Sequence, residues 1–247
     1  MAELARIAEW IEGSRHTVAL TGAGVSTESG IPDFRSDAGL WGRHDPMELA
    51  SIEGFRADPV RFYRFWSEKF GRMANARPNA AHHLLAGLES RGRTQAVVTQ
   101  NIDGLHQRAG SRQVLEMHGN FRHAACLACG AEQPIETVLA RPPEKAPECP
   151  CCGARLLKPK VVLFGESLPD AYARAENEIA RTELLLVLGT SLSVHPVAGF
   201  VPLAKRKGAR VVILNREPTP YDDEADLPLH AELGPAARSL MAMLNLG

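Results

Sequence analysis

The five cysteines of this 247-residue chain all lie in one short window. Four of them form two Cys-x-x-Cys pairs, Cys126 with Cys129 and Cys149 with Cys152, which residues 130–148 separate. Two pairs at this separation are typical of a tetrahedral zinc site. Because four protein ligands leave no open position for water, the pattern predicts a structural metal. A redox Cys-x-x-Cys is the competing interpretation, and Cys151 is left outside the pattern.

Glycines follow an apolar segment, Thr17–Thr21, that is typical of a buried strand. The run Gly22-Ala23-Gly24 would let backbone N–H groups approach a pyrophosphate at the start of a helix. The spacing departs from G-x-G-x-x-G, because Thr27 stands where the third glycine is expected and the next glycine is Gly30. We interpret the run as a dinucleotide-binding loop, with an ordinary strand-to-helix turn as the alternative.

An aromatic ring and a guanidinium come directly after this loop, in Ile31-Pro32-Asp33-Phe34-Arg35. Phe34 could cover a bound sugar and exclude water, and Arg35 could pair with a phosphate in a bidentate way. A core ring and a surface ion pair are the plain alternatives for these two side chains.

Polar residues also follow a second apolar segment, Ala96–Thr99, in the order Gln100-Asn101-Ile102-Asp103. In an open α/β sheet, ligands bind beyond the carboxyl ends of the strands, so these residues are site candidates. From residue type alone, helix caps or turn residues are the better interpretation of Asn101 and Asp103.

His118 ends a short apolar run and could exchange a proton near neutral pH, as a base that activates a hydroxyl must. The chain has nine histidines, so chemistry alone does not single it out. A structural histidine bonded to the backbone is the alternative.

The elements that must position these residues are predicted by apolar patterning. Five short apolar segments resemble buried parallel strands: Thr17–Thr21, Ala96–Thr99, Val161–Phe164, Leu184–Leu188 and Arg210–Leu214. Helical patterns cover Ala81–Glu89, Asp170–Arg181, Val197–Lys207 and Gly234–Leu246, and Leu4, Ile7, Ala8 and Ile11 recur at helical spacing. The alternation predicts an α/β fold, a Rossmann-like doubly wound parallel sheet.

Two stretches interrupt this alternation. Residues 36–78 carry aromatic side chains at helical spacing, and residues 121–157 hold the cysteines and a Pro-rich run. We expect residues 1–35, 79–120 and 158–247 to form the Rossmann-like domain. The helical insertion and the zinc module would together form a smaller inserted domain.

Composition sets the class of protein. A formal net charge of −1, with 45% hydrophobic and 23% charged residues, is ordinary for a globular protein and gives no general attraction to nucleic acid or anionic membrane. The N-terminal segment lacks the apolar region of a signal peptide, and the sequence shows no apolar stretch long enough for a membrane span. We expect a cytoplasmic protein.

Together the motifs resemble the sirtuin family in its bacterial form. The stretch from Gly22 to Arg35 is similar to that family's NAD-binding signature. Further similar pieces follow in the family's order: Thr99–His106, Leu115–Gly119, the cysteine pairs, Phe164–Glu166, Gly189–Ser191 and Asn215–Glu217.

The resemblance implies an NAD⁺-dependent protein-lysine deacylase with NAD⁺ as cosubstrate, bound between the two domains, and one structural zinc ion. Asp103 and the Ile102 backbone would hold the carboxamide of the nicotinamide, Asn101 would order the ribose and a water, and Gln100 would contact the same ribose. The remaining cofactor residues would be Gly22, Ala23, Gly24, Thr27, Asp33, Phe34, Arg35, Gly189, Thr190, Ser191, Asn215 and Glu217.

In the implied reaction the acyl oxygen attacks C1′ of the ribose and nicotinamide leaves. His118 then promotes attack by a ribose hydroxyl, and the products are lysine, nicotinamide and acyl-ADP-ribose. His106 is expected to be structural.

The acyl-lysine would enter an apolar channel formed by Val162, Phe164 and Val194, with its peptide added as a strand between two loops. These loops would be Gly165-Glu166-Ser167 and Ser193-Val194-His195, and the Val162 carbonyl would accept a hydrogen bond from the substrate amide. From residue type alone, Val162 and Phe164 would be core residues.

The acyl group is partly predicted. Sirtuins that prefer succinyl or malonyl groups carry a Tyr and, three residues later, an Arg that bind the acyl carboxylate. Tyr63 matches here, but Trp66 stands in the place of the Arg, so short neutral acyl groups, acetyl first, are favoured. Arg64 leaves a one-residue shift open.

Rival functions are a mono-ADP-ribosyltransferase that uses the same pocket and a silent NAD-sensing module. The intact His118, Asn101 and Asp103 weaken the second. A Rossmann dehydrogenase fits least, because the loop spacing differs and the zinc site is closed.

Overall fold

A computed structural model describes residues 1–33, 45–141 and 144–246. The nine strands of the described chain are β1 (Thr17–Thr21), β2 (Ala96–Thr99), β3 (Val114–Glu116), β4 (Gly119–Cys126), β5 (Glu132–Pro134), β6 (Leu157–Val161), β7 (Leu184–Leu188), β8 (Arg210–Asn215) and β9 (Leu227–His230).

The α-helices of the same residues are α1 (Ala2–Gly13), α2 (Pro46–Leu49), α3 (Ile52–Ala57), α4 (Pro59–Asn75), α5 (Ala80–Ser90), α6 (Leu105–Ala109), α7 (Ile135–Leu139), α8 (Ala171–Arg181), α9 (Phe200–Arg206) and α10 (Leu233–Met243). Short 3₁₀ helices cover Ala23–Ser29, Val197–Gly199 and Asp222–Glu224. None of the helices in the described ranges is long and apolar enough to cross a membrane.

The chain divides into two compact units. The first comprises Met1–Gly30, Arg77–Met117 and Asp170–Gly247, and the second comprises Ile31–Ala76 and His118–Pro169.

The first unit contains a six-stranded sheet in the order β3-β2-β1-β7-β8-β9, in which all neighbouring strands are parallel. Side chains alternate between its faces, so Ala19 packs with the buried residues of α1, α5 and α10. Val18 and Leu20 pack on the opposite face with α8 and α9. Helices on both faces of a parallel sheet make the Rossmann-like, doubly wound fold that the sequence predicts.

The second unit contains a three-stranded antiparallel sheet in the order β5-β4-β6 and the helices α2, α3, α4 and α7. Helix α4 begins at Pro59, and the Asp58 side chain caps it by accepting a hydrogen bond from the Arg61 N–H over 2.9 Å. The helical spacing of its aromatic side chains predicts such a helix, and four of them, Phe62, Tyr63, Trp66 and Phe70, are buried. The Phe70 ring stacks on Phe121 of β4 with 5.8 Å between centroids.

The predicted strand Val161–Phe164 is wrong. The strand covers Leu157–Val161 instead, and it belongs to the antiparallel sheet. The Val162 N–H still donates to the carbonyl of His118, but the chain then turns, because the Glu166 carboxylate accepts from the Leu163 N–H over 2.8 Å. An apolar run therefore ends a strand here and does not form one.

Candidate cofactor, catalytic and metal sites

The glycine-rich loop follows β1 in the first unit and packs backbone to backbone on the chain after β7. The Gly24 N–H donates to the Gly189 carbonyl over 2.8 Å. A Cβ atom would lie 2.6 Å from the Thr190 Cβ if built on Gly22, and 2.8 Å from the Gly189 oxygen if built on Gly24. Gly189 itself has φ +59°. Side chains are therefore excluded at all three glycines, which explains their placement.

A 3₁₀ helix, Ala23–Ser29, follows the turn where the dinucleotide motif would have an α-helix. The Thr27 hydroxyl donates to the Gly24 carbonyl over 2.9 Å within this helix. Gly30, in the left-handed region at φ +82°, ends the helix. The unusual glycine spacing thus reflects a 3₁₀ helix with a glycine at its end.

Of the residues predicted directly after the loop, Phe34 and Arg35 lie outside the described residues. Asp33 is half-buried and belongs to the second unit.

The carboxyl end of β2 carries a buried polar cluster. The Ser26 hydroxyl donates to the Asp103 carboxylate over 2.7 Å, and the Asn101 amide donates to the Ser26 hydroxyl over 3.1 Å. The carboxylate also accepts from the Leu105 N–H over 2.9 Å, so Asp103 forms a local turn as well. Burial raises the pKa of Asp103, while the Leu105 N–H and the Ser26 hydroxyl lower it.

Ser26 is a functional candidate that the sequence analysis missed. It lies inside the glycine-rich loop, and its side chain joins that loop to the end of β2. The only signal was its place within the motif, because a serine in a turn has many plain explanations.

Two further side chains link the strand ends. The Gln100 amide donates to the Thr190 hydroxyl over 2.9 Å, and the Leu192 N–H donates to the same hydroxyl over 3.2 Å. Leu192 is buried with φ +53°, a conformation that is uncommon for leucine. On either side of it Ser191 and Ser193 are exposed, and their hydroxyls share a hydrogen bond of 2.7 Å.

The other predicted site residues of the first unit are half-buried or exposed. The Asn215 amide, at the end of β8, donates to the Glu217 carbonyl over 2.7 Å. The Glu217 carboxylate is exposed and pairs with Arg216. Ile102 and Val194 are half-buried.

Two buried histidines lie beside the loop. The His106 ring shares a hydrogen bond of 3.0 Å with the Thr21 hydroxyl, and its centroid lies 4.8 Å from that of His82. Burial lowers the pKa of His106 to about 4. Burial, with smaller contributions from His106 and His83, lowers the pKa of His82 to about 3. Both rings are therefore neutral near pH 7.

His118 lies in the turn directly before β4, in the second unit, and is half-buried. Its carbonyl accepts the Val162 N–H over 2.9 Å. The next residue, Gly119, has φ +67°, and a Cβ atom there would lie 2.2 Å from the Lys160 oxygen. Glycine is therefore required directly after the candidate base.

The predicted substrate loop follows β6. The Phe164 backbone is held on both sides, since its N–H donates to Ala50 over 2.8 Å and its carbonyl accepts from Ile52 over 3.0 Å. The Phe164 ring is 43% exposed, which is unusual for a large apolar side chain. Gly165 has φ +88°, and Val162 is half-buried.

The four cysteines of the two pairs converge in the second unit. Their sulfur atoms all lie within 4.8 Å of one another, and Cys126 and Cys152 are 3.7 Å apart. A tetrahedral zinc site with Zn–S bonds of about 2.3 Å has S–S edges of roughly 3.8 Å, so the cluster fits zinc.

The two pairs form equivalent turns. The Gly130 N–H donates to the Cys126 carbonyl over 2.8 Å, and the Gly153 N–H donates to the Cys149 carbonyl over 2.9 Å. Both glycines have positive φ, +76° and +73°. Backbone N–H groups, first that of Cys152, lower the pKa of the Cys149 thiol to about 7, whereas the pKa values of the Cys129 and Cys152 thiols are raised, so Cys149 ionises more readily than these two neighbours. Cys151 is exposed and outside the cluster.

Comparison with known proteins agrees with this geometry. The model of the Sir2 family matches residues 22–196. An NAD-dependent protein deacetylase of Caldivirga maquilingensis is 48% identical over 238 residues, which cover 95% of this chain and 90% of that protein. NAD-dependent protein deacetylase 1 of Geobacillus kaustophilus is 46% identical and is covered to 91%, as is this chain.

Solved structures give the same result. A Sir2 protein with a p53 peptide and NAD⁺ superposes with a TM-score of 0.90 at 41% identity, and 98% of each chain is covered. A Sir2 variant with deacetylated p53 peptide and 3′-O-acetyl-ADP-ribose superposes with a TM-score of 0.92 at 41% identity, and 97% of each chain is covered. With the strand-end cluster, the glycine-rich loop and the four cysteines in place, this chain belongs to the Sir2, or sirtuin, family.

Proposed function

We propose that this protein is an NAD⁺-dependent protein-lysine deacetylase that transfers the acyl group to ADP-ribose and releases nicotinamide. The observation that carries the proposal is the buried cluster of Ser26, Asn101 and Asp103, which follows β2 directly beside the glycine-rich loop. Buried polar side chains at strand ends of a doubly wound sheet are where a nucleotide binds. Family membership and deacetylase relatives support this assignment.

NAD⁺ supplies an anomeric carbon with nicotinamide as its leaving group. Asp103 and the Ile102 backbone would bind the carboxamide, while Asn101 and Gln100 would orient the ribose. The glycine-rich loop and residues Gly189, Thr190 and Ser191 would bind the phosphates, and Asn215 and Glu217 the adenosine. Asp33, Phe34 and Arg35 would complete the cofactor site.

His118 would act as the base that takes a proton from a ribose hydroxyl. The link from Val162 to the His118 carbonyl fixes the base relative to the loop that would receive the acyl-lysine. In that loop the Val162 carbonyl would accept a hydrogen bond from the substrate amide. Phe164 of the same loop and Val194 would line an apolar channel.

We further propose acetyl and other short neutral acyl groups as substrates. The Tyr63 hydroxyl is buried and donates to the Leu157 carbonyl over 2.7 Å, so it is already engaged. The Trp66 indole N–H donates to the Leu49 carbonyl over 2.6 Å, and Arg64 is exposed while Tyr63 is buried. An acyl carboxylate would therefore find no buried cation in this part of α4, and burying it would be costly.

The four cysteines would hold one zinc ion per chain in a closed structural site. We also propose a cytoplasmic location, in which reduced thiols are available for the metal.

The test is mass spectrometry of acyl-lysine peptides with NAD⁺, comparing wild type with His118→Ala. His123→Ala is the matched control, because His123 is an exposed histidine on β4, the strand that begins directly after His118. We expect acetyl-lysine to be cleaved by wild type and the control, and His118→Ala to be slower by at least about a hundredfold. Equal turnover by His118→Ala would remove that residue from its role. Nicotinamide release without peptide would favour the ADP-ribosyltransferase.

A further inference from the structure

One lysine of the second unit is almost fully buried. Lys158, on β6, is only 8% exposed. Its ammonium donates to the Pro159 carbonyl over 3.1 Å, the Val161 carbonyl over 2.6 Å and the Glu166 carboxylate over 2.9 Å. Three acceptors match its three N–H donors. All three acceptors belong to the eight residues that follow Lys158 in the chain.

The Glu166 carboxylate closes the same stretch from its other end. It accepts both the Lys158 ammonium and the Leu163 N–H, the latter over 2.8 Å. The Glu166 N–H in turn donates to the Leu163 carbonyl over 3.0 Å. The ion pair therefore bridges the end of β6 and the turn after it.

The bridged segment contains the loop proposed above to receive the substrate. Val162, Phe164 and Gly165 lie between the two charged residues in the chain. The charged groups of both residues are engaged in hydrogen bonds within this segment. Phe164 remains 43% exposed while its backbone is fixed. A loop with an exposed ring and a fixed backbone is preformed for a ligand, and preformation lowers the entropic cost of binding.

We propose that Lys158 and Glu166 are positioning residues that hold the Val162–Gly165 loop in the form that receives the acyl-lysine peptide. The inference rests on the proposed function, because only then is this loop a peptide site. Neither residue takes part in the chemistry. Removing one partner leaves the other charge unpaired in a poorly solvated place, so the loop rearranges to solvate it.

Loss of the ion pair should weaken binding of the peptide and leave binding of NAD⁺ unchanged. Lys158→Met keeps the length and apolar stem of the side chain but removes the cation. The KM for the acetyl-lysine peptide rises by at least about tenfold, whereas the KM for NAD⁺ and the zinc content stay within about twofold. A merely structural residue would lower the active fraction, and so the apparent kcat, without this separation of the two KM values.

The matched control is Lys160→Met. Lys160 lies on the same strand and also forms an ion pair, with Glu132 at 2.6 Å, but its side chain is 45% exposed. Exposed ion pairs contribute little, so the control keeps both KM values. Lys158→Arg retains the positive charge and restores most of the peptide affinity.

The experiment measures KM for peptide and for NAD⁺, together with thermal unfolding, for wild type, Lys158→Met, Lys158→Arg, Glu166→Gln, Lys158→Met with Glu166→Gln, and Lys160→Met. Because the two residues act as a pair and the double variant leaves no unpaired charge, it raises the peptide KM no more than either single variant and not by the product of both. A peptide KM that is unchanged in folded Lys158→Met, or equally raised in Lys160→Met, overturns the inference alone. Wild type without NAD⁺-dependent deacetylation overturns the proposed function and this inference with it.

Discussion

The Val162 amide donates a hydrogen bond of 2.9 Å to the carbonyl oxygen of His118. This bond lies next to the pairing of Gly119 with Val161 in the antiparallel sheet, and it joins the candidate base to the first residue of the candidate substrate loop. Glycine is required on the β4 side of this junction, because a Cβ atom at position 119 would lie 2.2 Å from the Lys160 carbonyl oxygen. On the β6 side, the Lys158 ammonium donates a hydrogen bond to the Val161 carbonyl. The antiparallel sheet thus sets where base and loop stand relative to each other.

Ser26→Ala tests the buried cluster at the end of β2. The change removes one donor from the Asp103 carboxylate and one acceptor from the Asn101 amide. We expect kcat/KM for NAD⁺ to fall about ten- to hundredfold, because buried polar groups lose partners worth roughly 1–3 kcal/mol. Steady-state kinetics with varied NAD⁺ measures it. Ser90→Ala, at an exposed helix end, should match wild type, and a similar kcat/KM for Ser26→Ala would contradict the role given to the cluster.

Gly24→Ala tests the close approach of two backbones. The added Cβ would lie 2.8 Å from the Gly189 oxygen, so the loop must shift. We expect the free energy of unfolding to fall by roughly 1–3 kcal/mol and NAD⁺ affinity to fall with it. The control is Gly71→Ala in α4, where the new Cβ meets nothing within 4 Å, and it should stabilise the protein by up to about 1 kcal/mol. Denaturant unfolding and NAD⁺ titration measure both, and a Gly24→Ala protein with unchanged affinity would count against this loop as a phosphate site.

The pH dependence of stability tests the two buried histidines. Their folded pKa values, about 3 for His82 and about 4 for His106, lie below the ordinary value of 6.5. Below pH 6.5 the two histidines bind protons in the unfolded chain but not in the folded chain. The free energy of unfolding therefore decreases as the pH is lowered, until the pH reaches the folded pKa of each histidine. Each histidine should cost about 1.4 kcal/mol per pH unit, or roughly 2 kcal/mol between pH 6.5 and pH 5.

His82→Gln separates this effect from other acid titrations. Glutamine at this position can still accept the Asn79 N–H and keep the capping box of α5, but it does not titrate. Unfolding curves at pH 7, 6 and 5 should show that the variant loses roughly 2 kcal/mol less stability than wild type between pH 7 and pH 5, with most of the difference below pH 6. Parallel curves for the two proteins would show that His82 is not buried as a neutral ring.

We expect substitutions of the neighbouring Cys151 and Cys152 to differ in their effect on zinc content. Cys152→Ser should lose the zinc ion and the cooperative unfolding of the second unit, because metal binding and folding of such modules are coupled. Cys151→Ser should retain one zinc per chain, since Cys151 is exposed and outside the cluster. Zinc content by atomic spectroscopy after gel filtration measures both. Zinc loss in Cys151→Ser would mean that the ligand set is wrong.

The sequence predicted much of the first unit and less of the second. The central strands β1, β2, β7 and β8 are buried on both faces, so their apolar runs stand out. The edge strands β3 and β9 were not predicted, because they are short and only partly buried. In the second unit, exposed and buried residues follow one another irregularly along β4, so no strand pattern stands out. The apolar run Val161–Phe164 lies at the end of a strand, and the position of that end depends on hydrogen bonds to residues far along the chain.

Candidate site residues followed the same division. Cysteine spacing alone indicated the metal cluster, because ligand number and separation are local properties. The Ser26 hydroxyl, the Lys158–Glu166 pair and the engaged hydroxyl of Tyr63 depend on partners far along the chain or on burial, and residue type does not reveal either.

The most direct test of the central claim is the stoichiometry of one reaction of the purified protein with acetyl-lysine peptide and NAD⁺. Nicotinamide, deacetylated peptide and acetyl-ADP-ribose should be measured together by mass spectrometry over time. We expect all three to form in equal amounts, and none to form when either substrate is left out. Free acetate produced without consumption of NAD⁺, or nicotinamide released equally fast without peptide, would contradict the account.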